Sequence, residues 1–279
     1  MIEKKAERPR ISVLGCGWFG LPLAEHLAKS GFAVKGSTTT GEKLGILKSR
    51  GIIPYLINIG ADTMAIEDSF FDSDILVISI PPNKNGPDLN QYPQKIQHIA
   101  DAAKKGSVKE VVFISSTGVF CDGNSIVTEL TIPNPEQESG KMMLAAELLL
   151  GMETEFRTTI IRFAGLIGPL RLLAKHFAGR AEIANGLAPI NLIHLDDCIG
   201  ITKAIIAQQA FGQVFHGVAP DHPTRAAFYT KNCKVNGFEQ PAFKSELLQW
   251  KQIESIHITN LNYQFQVSDW NAWLDSLTQ

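Results

Sequence analysis

The chain has 279 residues, 44% hydrophobic and 19% charged, with a formal net charge of −2. This is the balance of a soluble globular protein, long enough for one large domain or a domain with a smaller lobe. The charge argues against nucleic acid as a partner, no apolar run approaches the ~18–20 residues of a membrane span, and Met1–Arg10 is too charged for a secretory signal and reads as a frayed end.

Ile11, Val13 and Leu14 form a short apolar run, as a buried parallel strand does. Gly15, Gly17 and Gly20 follow at G-x-G-x-x-G spacing. Leu21, Leu23, Ala24, Leu27 and Ala28 then recur near the helical period, closed by Ser30-Gly31. Strand, glycine turn and helix together predict a dinucleotide-binding start, against the plainer reading of a structural tight turn. Gly15 permits the turn, Gly17 lets a pyrophosphate approach the backbone, and Gly20 lets the helix pack close to the strand. Gly15, Gly17, Trp18, Phe19 and Gly20 are therefore candidate cofactor contacts, with the helix-start amides facing the phosphates.

The second strand is Phe32–Ser37. An acid that would hold a ribose is expected about 20 residues beyond the glycines. Gly36-Ser37-Thr38-Thr39-Thr40 stands there instead, and Glu42, three residues after Thr39, has the spacing of a capping box. Ser37, Thr38, Thr39 and nearby Lys43 suit a 2′-phosphate better than a free 2′-hydroxyl. The cofactor expected is NADP, with NAD as the alternative.

Glu42–Arg50 is a short helix stopped by Gly51, and Ile52–Ile57 is a third strand that Pro54 places near an edge or at a bulge. Asn58–Asp74 reads as connection. Ile75–Ile80 is the clearest buried strand, ended by Pro81-Pro82. Ligands of open parallel sheets bind beyond the carboxyl ends of strands, so Ile80, Pro81 and Pro82 are candidates to line the cleft; a plain strand stop is the other reading of the prolines. Gln91–Lys105 is a helix, Val108–Ile114 a strand, Cys121–Gln137 a polar loop, Glu138–Met152 a helix and Thr158–Phe163 a strand. Leu172–Phe177 looks like a short helix. Ile190–Asp197 leads into the helix Cys198–Gln208, and Asp196 or Asp197 reads as its cap. Gln213–Val218 is a further strand, Thr224–Asn236 a helix, and Ser268–Leu277 a last helix with Ser268 as N-cap.

Alternating strands and helices predict an α/β fold, a Rossmann-type doubly wound parallel sheet with a small C-terminal substrate lobe. The expected division is 1–164 and 191–218 for the nucleotide and 165–190 and 219–279 for the substrate. Cys16, Cys121, Cys198 and Cys233 are far apart, and neither they nor the seven histidines show metal-ligand spacing, so no metal is expected and the thiols read as reduced, in a cytoplasmic protein. Arg171 is either a partner for a phosphate or carboxylate or a solvated arginine. His216 and His222 read as surface histidines, with acid/base work as the alternative.

Several of these segments, in order, resemble the extended short-chain dehydrogenases/reductases, the NAD(P)-dependent sugar-nucleotide epimerase/dehydratase superfamily. They are Gly15-Cys-Gly-Trp-Phe-Gly20, Ser115-Ser-Thr-Gly-Val-Phe120, Leu144-Ala-Ala-Glu147, Arg162-Phe-Ala-Gly-Leu-Ile-Gly-Pro169 and Asn191-Leu-Ile-His-Leu-Asp-Asp197. Ile78-Ser-Ile-Pro-Pro82 and the compact length are most similar to an atypical bacterial subgroup, the YeeZ-like proteins. The resemblance implies an oxidoreductase or epimerase acting on a sugar nucleotide or small carbonyl compound. It places Ser115, Phe163, Ala164 and Gly165 with the cofactor, and implies a homodimer paired through 91–105 and 138–152. Burial within a monomer would also explain the apolar breadth of 138–152.

The chemistry of that family uses a Tyr-x-x-x-Lys pair and a Ser or Thr. Ser116 matches the serine role, with Thr117 beside it, but Ser139 stands where the tyrosine belongs and Met143 where the lysine belongs. A serine hydroxyl is a far weaker acid than a phenol, whose pKa is about 10, and Met143 supplies no charge. Ser139 reads better as a helix-start hydroxyl than as a catalytic one, and Lys141 lies on a different helix face from Met143. The candidate catalytic residues are thus Ser116, Thr117 and Ser139, in an atypical enzyme; a catalytically degenerate sensor or regulator is the alternative.

Overall fold

The computed structural model describes residues 8–60, 64–65, 67–83, 86 and 89–278; most of the Met1–Arg10 segment lies outside them. In chain order the elements are β1 (Ile11–Leu14), α1 (Gly20–Lys29), β2 (Val34–Thr38), α2 (Leu44–Ser49), β3 (Ile53–Leu56), β4 (Asn58–Ile59), β5 (Met64–Ala65), β6 (Ile75–Ile78), α3 (Tyr92–Lys105) and β7 (Glu110–Ser116). They continue with β8 (Ser125–Val127), α4 (Glu138–Gly151), β9 (Arg157–Phe163), β10 (Gly165–Ile167), β11 (Leu192–His194), α5 (Leu195–Ala207), β12 (Val214–Gly217), α6 (Arg225–Val235), β13 (Lys251–Ile253) and α7 (Trp270–Ser276).

Seven strands form one parallel sheet in the order β12-β9-β7-β6-β1-β2-β3, the expected Rossmann-like α/β fold. β1 sits between β6 and β2, with Val13 paired to Val77 on one side and Gly36 on the other. Strands covered on both faces are near-continuous apolar runs; Ile75–Ile78 is one, and in Ile11–Leu14, also buried at every position, Ser12 is the exception, its Oγ donating to the Phe70 carbonyl at 2.6 Å. β3 is the terminal strand, which is where Pro54, lacking an N–H, is tolerated.

The chain packs as two compact units. The first comprises Met1–Ser115, Gln137–Ile161 and Ile205–Val214; the second comprises Ser116–Glu136, Arg162–Ala204 and Phe215–Gln279. In the first, α3 and α4 lie side by side, and Ile96, Ile99 and Leu150 are fully buried. In the second, Ile167, Leu192, Phe228, Trp270 and Leu274 belong to one buried cluster. Trp270 is fixed at both ends: its backbone N–H donates to Asp221 Oδ2 at 2.8 Å and its indole Nε1 to the Asp221 carbonyl at 3.0 Å.

Several local expectations are corrected. The segment 121–137 is not all loop, because Ser125–Val127 pairs in parallel with Lys251–Ile253. The connection 58–74 contains the antiparallel pair β4–β5, and Phe70 and Phe71 in it are buried. The Thr39–Glu42 capping box does not form: Thr40 holds the cap position of a short 3₁₀ turn and no side chain caps it. The cap of α7 is Asp269, which accepts from Ala272 N at 2.8 Å, and not Ser268. Asp197 does not cap α5. Its carboxylate accepts from the Tyr263 hydroxyl and from the N–H groups of Gln266 and Val267, tying that segment to the helix. The N–H of Asp196 instead meets His194 Nδ1 at 3.3 Å.

Candidate functional site

The glycine turn joins β1 to α1 with no spare room. Gly15 has φ +97°, and a Cβ there would lie 2.7 Å from Ile80 Cγ2. A Cβ on Gly20 would lie 2.1 Å from the Gly15 carbonyl oxygen. Gly17 is exposed, and a Cβ there would meet nothing within 4 Å on the protein side. Two glycines therefore serve the turn, while the third keeps a surface open for something outside it. No side chain caps α1 at Phe19, which suits a helix start that faces an anion.

Ser37 braces this turn. Its Oγ accepts from Gly15 N at 2.8 Å and its carbonyl from Cys16 N at 2.9 Å. The Ser37 hydroxyl thus fastens β2 to the turn as an acceptor and keeps its own proton to donate. Cys16 is buried, and its thiol is pushed up to about 12 by burial, so it stays protonated.

A cavity of about 350 Å³ opens beyond β1, β2 and β6, within the usual size of small-ligand sites. Gly15, Gly17 and Ser37 line it, as do Thr38, Thr39 and Lys43. Ile80 and Pro81 line it from the end of β6. Eight of the sixteen expected cofactor residues therefore meet here. Trp18, Phe19, Gly20 and Pro82 lie outside its described wall; Phe19 and Pro82 are buried and Trp18 half-buried.

Sequence reasoning missed Ile57, Ile59, Asn83, Tyr92 and Lys95, which also line this cavity. Tyr92 and Lys95 are three apart on α3, one turn of a helix, so they share a face. Tyr92 is buried, and its hydroxyl donates to the Ile80 carbonyl at 2.8 Å and lies 3.9 Å from Met143 Sδ. Burial, and then the charge of Glu147, push its phenol above the ordinary range. It acts as a strut and not as a replacement acid.

On α4, Met143 is 6% exposed. Ser139 is half-buried in the first turn, inside the cap position held by Gln137. Lys141 is exposed and pairs with Glu138 at 2.7 Å, so it does not serve Met143's position. Ser115 and Glu147 are both buried, and the Ser115 hydroxyl donates to the Glu147 carboxylate.

The remaining expected residues lie in the second unit. Ser116 Oγ accepts from Gly118 N at 3.1 Å, which leaves its own proton to give away, and Thr117 beside it is buried. Phe163 and Ala164 are buried; Ala164 N donates to Gly217 O at 2.9 Å and Gly165 N to Asn191 O at 3.0 Å. Arg171 is exposed and closes a turn on the Gly168 carbonyl, with Leu170 at φ +65° before it.

His216 is fully buried, which corrects its reading as a surface residue. Its Nδ1–H donates to the Glu254 carbonyl at 3.0 Å, and burial pushes it down to about 4, so the ring is neutral. Glu129 accepts from His216 N, from the Ser255 hydroxyl and from Ile256 N. Burial raises the Glu129 carboxyl, but these bonds outweigh it and hold it below the ordinary value. His222 is half-buried, with Nδ1 on the Ile190 carbonyl at 2.9 Å.

The first unit's residues fit a dinucleotide. They offer a strand–turn–helix with one open glycine, a cavity at the strand ends, two lysines in its wall, and no carboxylate among the described lining residues.

No family model matches the chain. It is 32% identical over 266 residues to Protein YeeZ of Escherichia coli (strain K12), covering 93% of this chain and 97% of that one. Among solved structures it is similar to UDP-glucuronic acid 4-epimerase from Bacillus cereus in complex with NAD, with a TM-score of 0.78, 20% identity and 97% of each chain covered. It is also similar to a short-chain dehydrogenase/reductase superfamily protein from Agrobacterium tumefaciens with bound NAD, with a TM-score of 0.78, 16% identity and 96% of each chain covered. These structural likenesses show the fold.

Proposed function

The chain belongs to the YeeZ family, and from that premise we propose that it is an NAD(P)-binding, epimerase/dehydratase-like oxidoreductase. The observation that carries the reading is the glycine cradle, closed at Gly15 and Gly20 and open at Gly17, above a cavity without described acids. Thr38, Thr39 and Lys43 at the end of β2 favour NADP over NAD. When bound, the nicotinamide would supply hydride transfer to or from a sugar nucleotide or small carbonyl compound. Ser116 and Thr117 hold the reacting oxygen, Ser116 through the proton it does not spend on Gly118. Ser139 and Met143 provide neither phenol nor ammonium, so proton movement falls to water or another group, and the mechanism is atypical.

The division of roles is part of this reading: 1–164 and 191–218 for the nucleotide, with Phe163, Ala164 and Gly165 beside it, and 165–190 and 219–279 for the substrate. So are a cytoplasmic location, a small-molecule substrate without nucleic acid, and a homodimer through the helices of 91–105 and 138–152, where Leu148 and Met152 stay exposed. Among the described residues no helix is long and apolar enough to cross a membrane.

A second reading is favoured by one observation. Met143 is buried against Tyr92 and not held ready for a ligand, as a chain that retains its cofactor only to sense it would have it. Calorimetric titration with NADPH, NADH and their oxidised forms comes first, and binding with NADPH preferred is expected. Ser116→Ala and Thr117→Val should then lower turnover on carbonyl and sugar-nucleotide substrates while leaving that affinity intact. Cofactor binding without turnover in the unaltered chain would give the case to the sensor; unchanged turnover in both variants would remove Ser116 and Thr117 from the chemistry.

A further inference from the structure

The cavity beyond β1 carries two described cations, and they reach it from opposite sides of the glycine turn. The sheet runs β6-β1-β2, so β1 and its turn lie between. Lys43 follows β2, the side where an acid or cation discriminates the 2′ substituent. Lys95 stands on α3, in the connection that follows β6, and lines the same cavity. A dinucleotide lies across the strand ends with its pyrophosphate over the turn, so a charge on the β6 side meets the part that NAD and NADP share.

The same face of α3 is fixed in place. Tyr92, one turn before Lys95, is buried and donates to the Ile80 carbonyl at 2.8 Å. That bond ties the start of α3 to the end of β6, where Ile80 and Pro81 also form the wall. The Tyr92 hydroxyl also lies 3.9 Å from Met143 Sδ, the uncharged atom at the position where the resemblance expects a lysine. An ammonium is a compact charge on a flexible stem and suits a phosphate without demanding a fixed angle.

We propose that Lys95 supplies, from α3, the positive charge toward the shared pyrophosphate–ribose part of the cofactor that α4 lacks at Met143, with Tyr92 as its positioning residue. The proposal rests on the dinucleotide reading above. It divides the labour of the two lysines: Lys43 selects between cofactors, and Lys95 binds both alike.

Calorimetric titration of the full chain with NADH and NADPH tests this in Lys95→Met, Lys95→Arg and Lys43→Met. Lys95→Met should weaken both cofactors by the same factor, about tenfold or more, since a hydrogen bond to a charged group is lost. Lys95→Arg should keep most of the affinity, and Lys43→Met should weaken NADPH alone. If Lys95→Met does not fold by circular dichroism, Lys95→Gln is read by the same criterion. Unchanged affinities in a folded Lys95 variant, or a loss confined to NADPH, overturn this proposal and leave the dinucleotide reading standing. Failure of the unaltered chain to bind either cofactor overturns the dinucleotide reading, and this proposal with it.

Discussion

The glycine turn and the α4 face at Ser139 and Met143 belong to the same compact unit, yet their constraints are opposite. At Gly15 and Gly20 of the turn almost nothing can change: a single added carbon at Gly20 would come within 2.1 Å of a backbone oxygen. On α4 the two side chains that the resemblance marks for chemistry have been replaced by a hydroxyl and a thioether, and the helix still forms and packs on α3. In the proposed reading, holding a dinucleotide depends on backbone shape, while moving the substrate's proton depends on two side chains. The first can be kept while the second is lost.

The sharpest way to break this comparison is at the turn. Gly20→Ala must push α1 from β1, and a loss of about 3 kcal/mol or more is expected in urea unfolding. Gly17→Ala should leave the midpoint within about 0.5 kcal/mol, because nothing surrounds its Cβ, and yet weaken NADPH in titration. If the two variants behave alike, the turn is not divided between structure and ligand.

A second test shows that stability is not owned by the turn. His216 takes up a proton at about 6.5 in the unfolded chain but only at about 4 in the fold. Its contribution is therefore complete above about pH 6.5 and is lost as pH falls toward 4, on the order of 3 kcal/mol. Urea midpoints across that window should fall in the unaltered chain and fall less in His216→Asn. Equal slopes would show that the ring is solvated.

The smallest of the expected losses of stability concerns α4. Met143→Lys places an ammonium where the native side chain is 6% exposed, and about 2 kcal/mol of destabilisation is expected. An unchanged midpoint would mean that the position opens to water, and that α4 lacks only its parts and not its environment.

Which of these features the sequence showed follows from how local they are. Gly15, Gly17 and Gly20 declare themselves within eleven residues of Arg10, and β6 stands out because strands covered on both faces are near-continuous apolar runs. Thr38, Thr39 and Lys43 could be placed at the cavity by counting from the turn. Tyr92 and Lys95 could not, because only packing decides which face of α3 meets β6. The pairing of β8 with β13 joins residues more than a hundred positions apart, and neither short segment has a period of its own. Burial of His216 was hidden for the same reason: its partners are Glu129 and Glu254, distant on both sides. Ser268 and Asp269 are both capping residues by type, and only the geometry of α7 chooses between them.

The β8–β13 pairing also sets an order in time. β1, β2, β3, β6 and β7 all lie within the first 116 residues, so these strands can find one another while the rest of the chain is still being made. Ser125–Val127 must wait for Lys251–Ile253, and Glu129 for Ser255 and Ile256, before that loop is locked. Ribosome-bound chains arrested before residue 253 should therefore leave 121–137 open to protease, and release of the last 30 or so residues closes it.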